Sequence, residues 1–472
     1  MISFDRMPSS DYVVLGAGMA GLTIAREIAR AGRSVTVVER GAQVGGLART
    51  VRRDGFAWDL GGHRFHSNNP GVVRWLEGLL GGDLLRVERR SRIYLRGRFI
   101  DYPIRLTQAI RAFGLANAVR GAASYAAAAV VNHRERAVTF EEWVTRRFGR
   151  VLYETYFKPY TEKVWGIRCH ELSAEWAAQR IGVPSLLNTV RQAVSRPAVA
   201  PATAVREFRY PRSGYGAITD RLAGEIDRAG HTVLTSTTLA SLRFGDGGAV
   251  VGVAGEDGAR RTIDCGRVIS TVPLGALLGA FAGDPDLART AADARLDYRG
   301  IVLVLMAVDA RRISPDTWTY FPESSVVFGR SHEPKHFSPA MVPRENVTSL
   351  ALEVFASPGE SAWTSDDRDL IARAAGDLEG IGWLREESLL HAHVVRVPFA
   401  YPVHDIGFAD RLARVTGALG RYPRLSLLGR TGAFMYRNAD GVIEDCFRLA
   451  AALGLRQADG VQPLPADEGR WV

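Results

Sequence analysis

A chain of 472 residues is too long for one compact core and predicts two or three domains. Its 46% hydrophobic and 24% charged residues are ordinary for a soluble globular enzyme, and three scattered cysteines (Cys169, Cys265, Cys446) exclude a disulfide framework or a zinc site and suit a reducing cytoplasm. The formal charge of +9 is carried by arginine, with only Lys158, Lys163 and Lys335 besides; codon bias explains much of this, a guanidinium fork for an anionic ligand is the functional reading, and no basic run alternates with aromatics as nucleic acid would require.

The first residues, MISFDRMPSSDY, carry no apolar stretch behind positive charge, so no signal peptide is expected. Residues 12–39 read as strand, glycine turn, helix and strand. Residues 70–80 and 104–131 read as helices, with a strand-like stretch at 92–100 between them. The greasiest run, GAASYAAAAVV at 121–131, is too short to span a bilayer and reads as a packed alanine-rich helix. Residues 140–181 read as helical, broken at Gly149, Pro159 and Gly166, and a Pro/Ala linker at 197–204 closes that block. From 232 to 271 short strands alternate around the turns GDGG and GEDG, as hairpins do. A helix follows Pro273, and the apolar run IVLVLMAV at 301–308 suits a buried strand.

Gly16, Gly18 and Gly21 lie between the first apolar strand and the first helix. In that order they allow a tight turn, a close backbone approach to a pyrophosphate, and close helix–strand packing, while the helix N-terminus offers free N–H groups. Glu39 ends the next strand, 18 residues after Gly21, where an acid can hold ribose hydroxyls. A glycine triad alone is a weak signal; this one has its strand, its helix and its acid.

Further segments carry a family resemblance. Gly45-Gly46-Leu47-Ala48-Arg49 resembles the second glycine motif of flavoproteins of the amine oxidase and UDP-galactopyranose mutase type, which follows the FAD pyrophosphate and here points to Gly46 and Arg49. VISTVP at 268–273 resembles their strand returning to the FAD domain, and GRTGAFMYRNADGV from Gly429 resembles their closing motif, with Gly429, Arg430 and the acid Asp440 near the flavin and its ribityl chain. The resemblance implies FAD as cofactor.

Within that group the chain looks most like the mutases. DLGGHRFHS at 59–67 resembles their loop beside the flavin and nominates Gly62 and His63. YTEKVWG resembles the segment whose tyrosine stacks on the nucleobase and whose tryptophan lines the sugar pocket, here Tyr160 and Trp165. LSAEWAAQRI resembles the stretch carrying a diphosphate-gripping arginine, here Arg180, and Asp297-Tyr298-Arg299 resembles the pair that supplies a second, Arg299. FGRSHEPKHF at 328–337 contributes Arg330, VPFAYP at 397–402 contributes Tyr401, and the closing motif contributes Tyr436. Each residue alone is more often core or surface; their common order along one template favours the functional reading. Phe434 and Val164 depart from the bacterial mutase pattern, and residues 109–136 are extra.

The resemblance implies an α/β architecture: a discontinuous Rossmann-type FAD-binding domain (1–75, 205–275 and 401–455), a mainly helical substrate domain (76–204), an antiparallel sheet-rich substrate domain (276–400) and a tail (456–472). It implies a pyranose/furanose mutase acting on a nucleoside-diphosphate sugar, with N5 of reduced FAD attacking the anomeric carbon, in the cytoplasm, with a homodimer as the candidate assembly. Arg180, Arg299 and His63 are then the catalytic candidates. The rival is an FAD-dependent oxidoreductase of the amine oxidase or desaturase class, sharing the nucleotide fold but with an apolar pocket; a redox-inactive flavin-binding protein ranks third.

Overall fold

The computed structural model describes residues 5–102, 108, 114–130, 136–180, 207–281 and 284–455. Two large sheets organise them. The first has eight strands: Thr232–Leu234, Val35–Val38, Ser10–Leu15, Arg260–Ser270, Gly248–Gly255 and Thr237–Gly245 in order, with Asp5–Arg6 and Leu425–Leu427 also paired to Arg260–Ser270. Its nucleotide-binding half is parallel because the helix Met19–Arg30 crosses between Ser10–Leu15 and Val35–Val38, while the far edge is an antiparallel meander. Met19–Arg30 is buried almost throughout, between the sheet and the helices Ala217–Arg228 and Ala439–Ala452. Its two buried charges are paired, Arg26 with Glu27 at 3.0 Å and with Glu225 at 2.6 Å.

The second sheet has seven strands in the order Leu389–Pro402, Tyr298–Val308, Thr348–Val354, Arg330–His332, Trp318–Tyr320, Ser91–Leu95 and Arg98–Asp101. Tyr298–Val308 is its spine. Val302, Val304, Met306 and Val308 face one apolar layer with the helix Asp367–Gly380, and Ile301, Leu303, Leu305 and Ala307 face the other, with Phe56 and Trp58. Burial on both faces is why this strand reads as unbroken apolar sequence rather than alternation. All pairs in this sheet are antiparallel except Trp318–Tyr320 with Ser91–Leu95.

The helical layer comprises Leu115–Val130, Phe140–Phe148, the run from Arg150 to Trp165, and Ala174–Arg180. Its core joins Phe140, Phe148, Trp165 and Trp176. Two expectations change. Residues 92–100 form a hairpin, Ser91–Leu95 and Arg98–Asp101, turning on Arg96 and Gly97 with φ of 50° and 74°; an Arg-Gly turn lacks the usual Asn or Asp signal. This hairpin, grouped with the helical stretch from sequence, extends the second sheet. Pro159 breaks nothing: the chain widens into a π-helical turn at Tyr153–Phe157, and Pro159 falls in the first turn of Lys158–Trp165, where a missing N–H is tolerated. The linker at 197–204, the tail at 456–472 and residues 104–107, 109–113 and 131 of the expected helix lie outside the described residues. Among the described residues no helix is long and apolar enough to cross a membrane.

Candidate active site

The dinucleotide cradle is built from backbone. Gly16 donates to Val38 O at 2.7 Å and turns with φ of +97°, which an L side chain resists; a Cβ on Gly21 would collide with the Gly16 carbonyl. A Cβ on Gly18 would meet nothing within 4 Å, so the helix N-terminus opens on free space where an anion fits. Gly45 donates to Ala17 O at 2.7 Å and bridges Gly18, which aligns the second glycine loop, with Gly46, alongside the first. Glu39 accepts from the amides of Ala17 (2.8 Å) and Gly41 (2.7 Å), so its carboxylate caps the loop that frames the cradle. Arg49 is half-buried; burial lowers its pKa and the facing Glu39 offsets part of that.

A polar aromatic cluster surrounds Arg430. Tyr401 and Tyr436 stack with ring centroids 5.6 Å apart, and the Arg430 guanidinium sits 5.3 Å from each ring centre. Arg430 is aimed by donating to Arg437 O (2.9 and 2.6 Å) and Ala400 O (3.3 Å). Trp165 closes the group edge-on, 6.0 Å from Tyr401 and 6.3 Å from Tyr436. Arg330 pairs with Glu353, its cross-strand neighbour, and donates to the Tyr401 hydroxyl at 2.9 Å. Burial opposes the Arg330 charge, but Glu353, with smaller contributions from Tyr401, Tyr160 and Tyr320, outweighs it and leaves its pKa raised. The Arg330 Nε is buried and makes no hydrogen bond among the described residues. Tyr160 meets Tyr320 edge-on at 5.8 Å on the same side.

The turn at residues 61–63 joins the two walls. Glu353 accepts from Gly62 N at 3.1 Å, and the His63 ring stacks on Tyr215 at 4.8 Å. Tyr215 is itself placed by Asp59, a buried carboxylate that accepts from the Tyr215 amide (3.0 Å), Thr50 (2.6 Å) and Tyr210 (2.5 Å); burial raises its pKa to about 6. Burial and then Arg430 pull His63 down to about 3, and burial and then Arg330 pull His332 to about 3, so both imidazoles are neutral. The buried Nδ1 of His63 makes no hydrogen bond among the described residues, a polar atom in wait of a partner.

The model of the family of flavin containing amine oxidoreductases matches residues 19–405. The chain belongs to this family. Its cofactor is FAD, and the open Gly18 cradle and the orphaned His63 nitrogen fit a bound dinucleotide. Within the family the chain is 28% identical over 171 residues to a protein named probable UDP-galactopyranose mutase from Klebsiella pneumoniae, covering 36% of this chain and 44% of that one. It is 25% identical over 179 residues to the chloroplastic protoporphyrinogen oxidase of Nicotiana tabacum, covering 36% and 32%. The chain thus spans less than half the length of these curated relatives. The crystal structure of a reduced UDP-galactopyranose mutase superposes with a TM-score of 0.79 over 98% of this chain and 97% of that one, at 24% identity, which establishes the shared fold.

Among this flavoprotein's expected site residues, Gly62, His63, Trp165, Arg330, Tyr401, Arg430 and Tyr436 converge. Asp440 lies in the first turn of Ala439–Ala452, its pKa raised by burial, and Gly429 precedes Arg430 in the turn that abuts the first helix at Ala20. Arg180 ends the helix Ala174–Arg180, and its side chain lies outside the described residues. Arg299 departs from expectation: instead of facing the cleft it is 3% exposed and spends its guanidinium on Val164 O (2.8 Å), Ser357 Oγ (3.1 Å), Phe355 O (2.6 Å) and Glu360. Four acceptors from two segments, Val164 and residues 355–360, cage it, so it ties the Trp165 helix to the sheet rather than offering a free fork. Sequence reading missed Glu353, His332, Tyr215 and Asp59 as site residues. The DLGG context of Asp59 was in view, but nothing local marks Glu353, which matters only because strand pairing sets it opposite Arg330.

Proposed function

We propose that this flavoprotein is a pyranose/furanose mutase acting on a nucleoside-diphosphate sugar. The observation that carries the reading is the Arg330–Tyr401–Tyr436 cluster against the turn at 61–63: a mutase pocket must hold a leaving diphosphate, and a desaturase pocket has no use for a cation that keeps 20% of its side chain exposed beside a tyrosine pair. The partial likeness to the Klebsiella mutase supports the same reading. Gly16, Gly18, Gly21, Glu39, Gly46, Arg49, Gly429, Arg430 and Asp440 would hold FAD, which in reduced form supplies the nucleophile such a reaction needs. Arg330 and the two tyrosine hydroxyls meet the charge that grows on the departing diphosphate, where preorganised donors contribute most. Tyr160 offers an aromatic face to the base, and Trp165 walls the sugar. His63, neutral, accepts or donates one hydrogen bond without adding charge. Arg180 would be the second diphosphate arginine that the mutase resemblance implies, and Arg299 acts from behind by fixing the Trp165 turn. Three free, buried thiols support a cytoplasmic setting for the enzyme.

The caged Arg299 favours a second reading, an FAD-dependent oxidoreductase of the amine oxidase or desaturase class, because it leaves the cleft one cation poorer. A panel of nucleotide sugars offered to dithionite-reduced and to oxidised protein separates the two. Ring-isomer exchange only in the reduced protein, without net electron consumption, is the mutase result; flavin bleaching by substrate with uptake of oxygen or another acceptor rejects it.

A further inference from the structure

The segment YTEKVWG contributes Tyr160 and Trp165 to the site and leaves Lys163, between them, without a task. Its ammonium shares three N–H donors among four backbone carbonyls of one short loop: Phe321 O (3.0 Å), Glu323 O (2.7 Å), Val326 O (2.8 Å) and Phe328 O (2.7 Å). That loop joins Trp318–Tyr320 to Arg330–His332 and is the tip of the hairpin that presents Tyr320 and Arg330 to the cleft. The lysine stem runs past Gly329, whose place no larger residue could take without meeting Phe355. From the other side, Asp377 on the helix Asp367–Gly380 accepts from Val327 N at 2.6 Å. The charged groups around the ammonium are Glu323 in the loop itself and Asp377, both favourable, against Arg373; burial lowers the Lys163 pKa to about 8, so the cation prevails at pH 7.

Four carbonyls converging on one point repel each other unless a cation sits there, and a buried carbonyl left without a donor is costly. An ammonium is the side chain whose compact shape suits such a cage; a planar guanidinium does not. We propose that Lys163 is a positioning residue that fixes the gap between the Tyr160–Trp165 helix and the Tyr320–Arg330 hairpin, and thereby sets affinity for the nucleotide part of the substrate. The second half rests on the mutase reading; the first does not.

The test uses FAD-loaded full-length protein and reads two quantities, amide hydrogen exchange across residues 321–328 without ligand, and the dissociation constant for UDP. Lys163→Met should keep its FAD, exchange the hairpin tip at least tenfold faster and bind UDP at least tenfold more weakly, raising KM for a nucleotide sugar more than it lowers kcat. Asp377→Ala loosens the same tip from its far side and should shift both readings in the same direction, which decides the matter if Lys163→Met does not fold. Unchanged exchange at the tip in the folded variants overturns the proposal, as does faster exchange with undiminished UDP affinity. If the wild-type protein binds no UDP, GDP or dTDP while tip exchange still responds to Lys163, the clamp stands and the mutase reading falls.

Discussion

The regions around Arg299 and Arg330 make an instructive pair. Both arginines sit on strands of one sheet, both are largely buried, and each has a carboxylate beside it, Glu360 and Glu353. Arg299 distributes its donors over three backbone or hydroxyl acceptors besides, and has become part of the scaffold. Arg330 gives one nitrogen to Glu353 and Tyr401 and keeps 20% of its side chain exposed, against 4% for Arg299. A guanidinium in a motif is therefore not yet a binding group. What it can do for a ligand is set by how many of its five N–H groups the protein has already used.

The contrast is sharpest in Arg299→Met. Loss of the cation strands buried carbonyls, so the variant should lose about 3 kcal/mol of stability and release FAD at lower denaturant, with no selective loss of nucleotide binding. Denaturation followed by flavin fluorescence checks this; a stable variant that binds FAD but not UDP would restore Arg299 to the diphosphate site. Next in size, Arg330→Lys keeps a charge beside Glu353 but removes the fork. UDP affinity should fall roughly a hundredfold, with FAD content intact, as calorimetry would read.

The hydroxyls beside Arg330 allow a finer cut. Tyr401→Phe should weaken UDP binding about tenfold, the worth of one hydrogen bond to a charged group. Tyr436→Phe should do likewise, unless the stacked pair serves only to hold Arg430, in which case flavin spectra shift and UDP affinity does not.

The smallest effect concerns His332, buried beneath the same turn with both ring nitrogens unpartnered among the described residues. Its pKa is depressed from 6.5 to about 3, so its contribution to stability is present above pH 6.5 and is lost as pH falls toward 3. Asp59 runs the other way: raised from 3.8 to about 6, its contribution is present below pH 3.8 and lost as pH rises to about 6. His332→Leu should therefore be near neutral at pH 7.5 and relatively more stable than wild type at pH 5, by urea midpoints; an equal effect at both pH values would mean that the imidazole is not the buried neutral group described.

The sequence by itself determined the parts of this protein that are made of backbone. Gly16, Gly18 and Gly21 announce a dinucleotide cradle because a glycine turn and a helix N-terminus are local structures, fixed by residues a few positions apart, and Glu39 follows at the end of the next strand. The run at 301–308 likewise declared itself a buried strand. Only the tertiary structure decided which arginine remains open, that Glu353 pins the turn at 61–63, and that Lys163 gathers a distant loop. Those outcomes depend on partners 23 to 291 residues away along the chain, and the direction a long side chain takes is settled by which acceptors folding brings within 3 Å of it, a quantity no local pattern encodes.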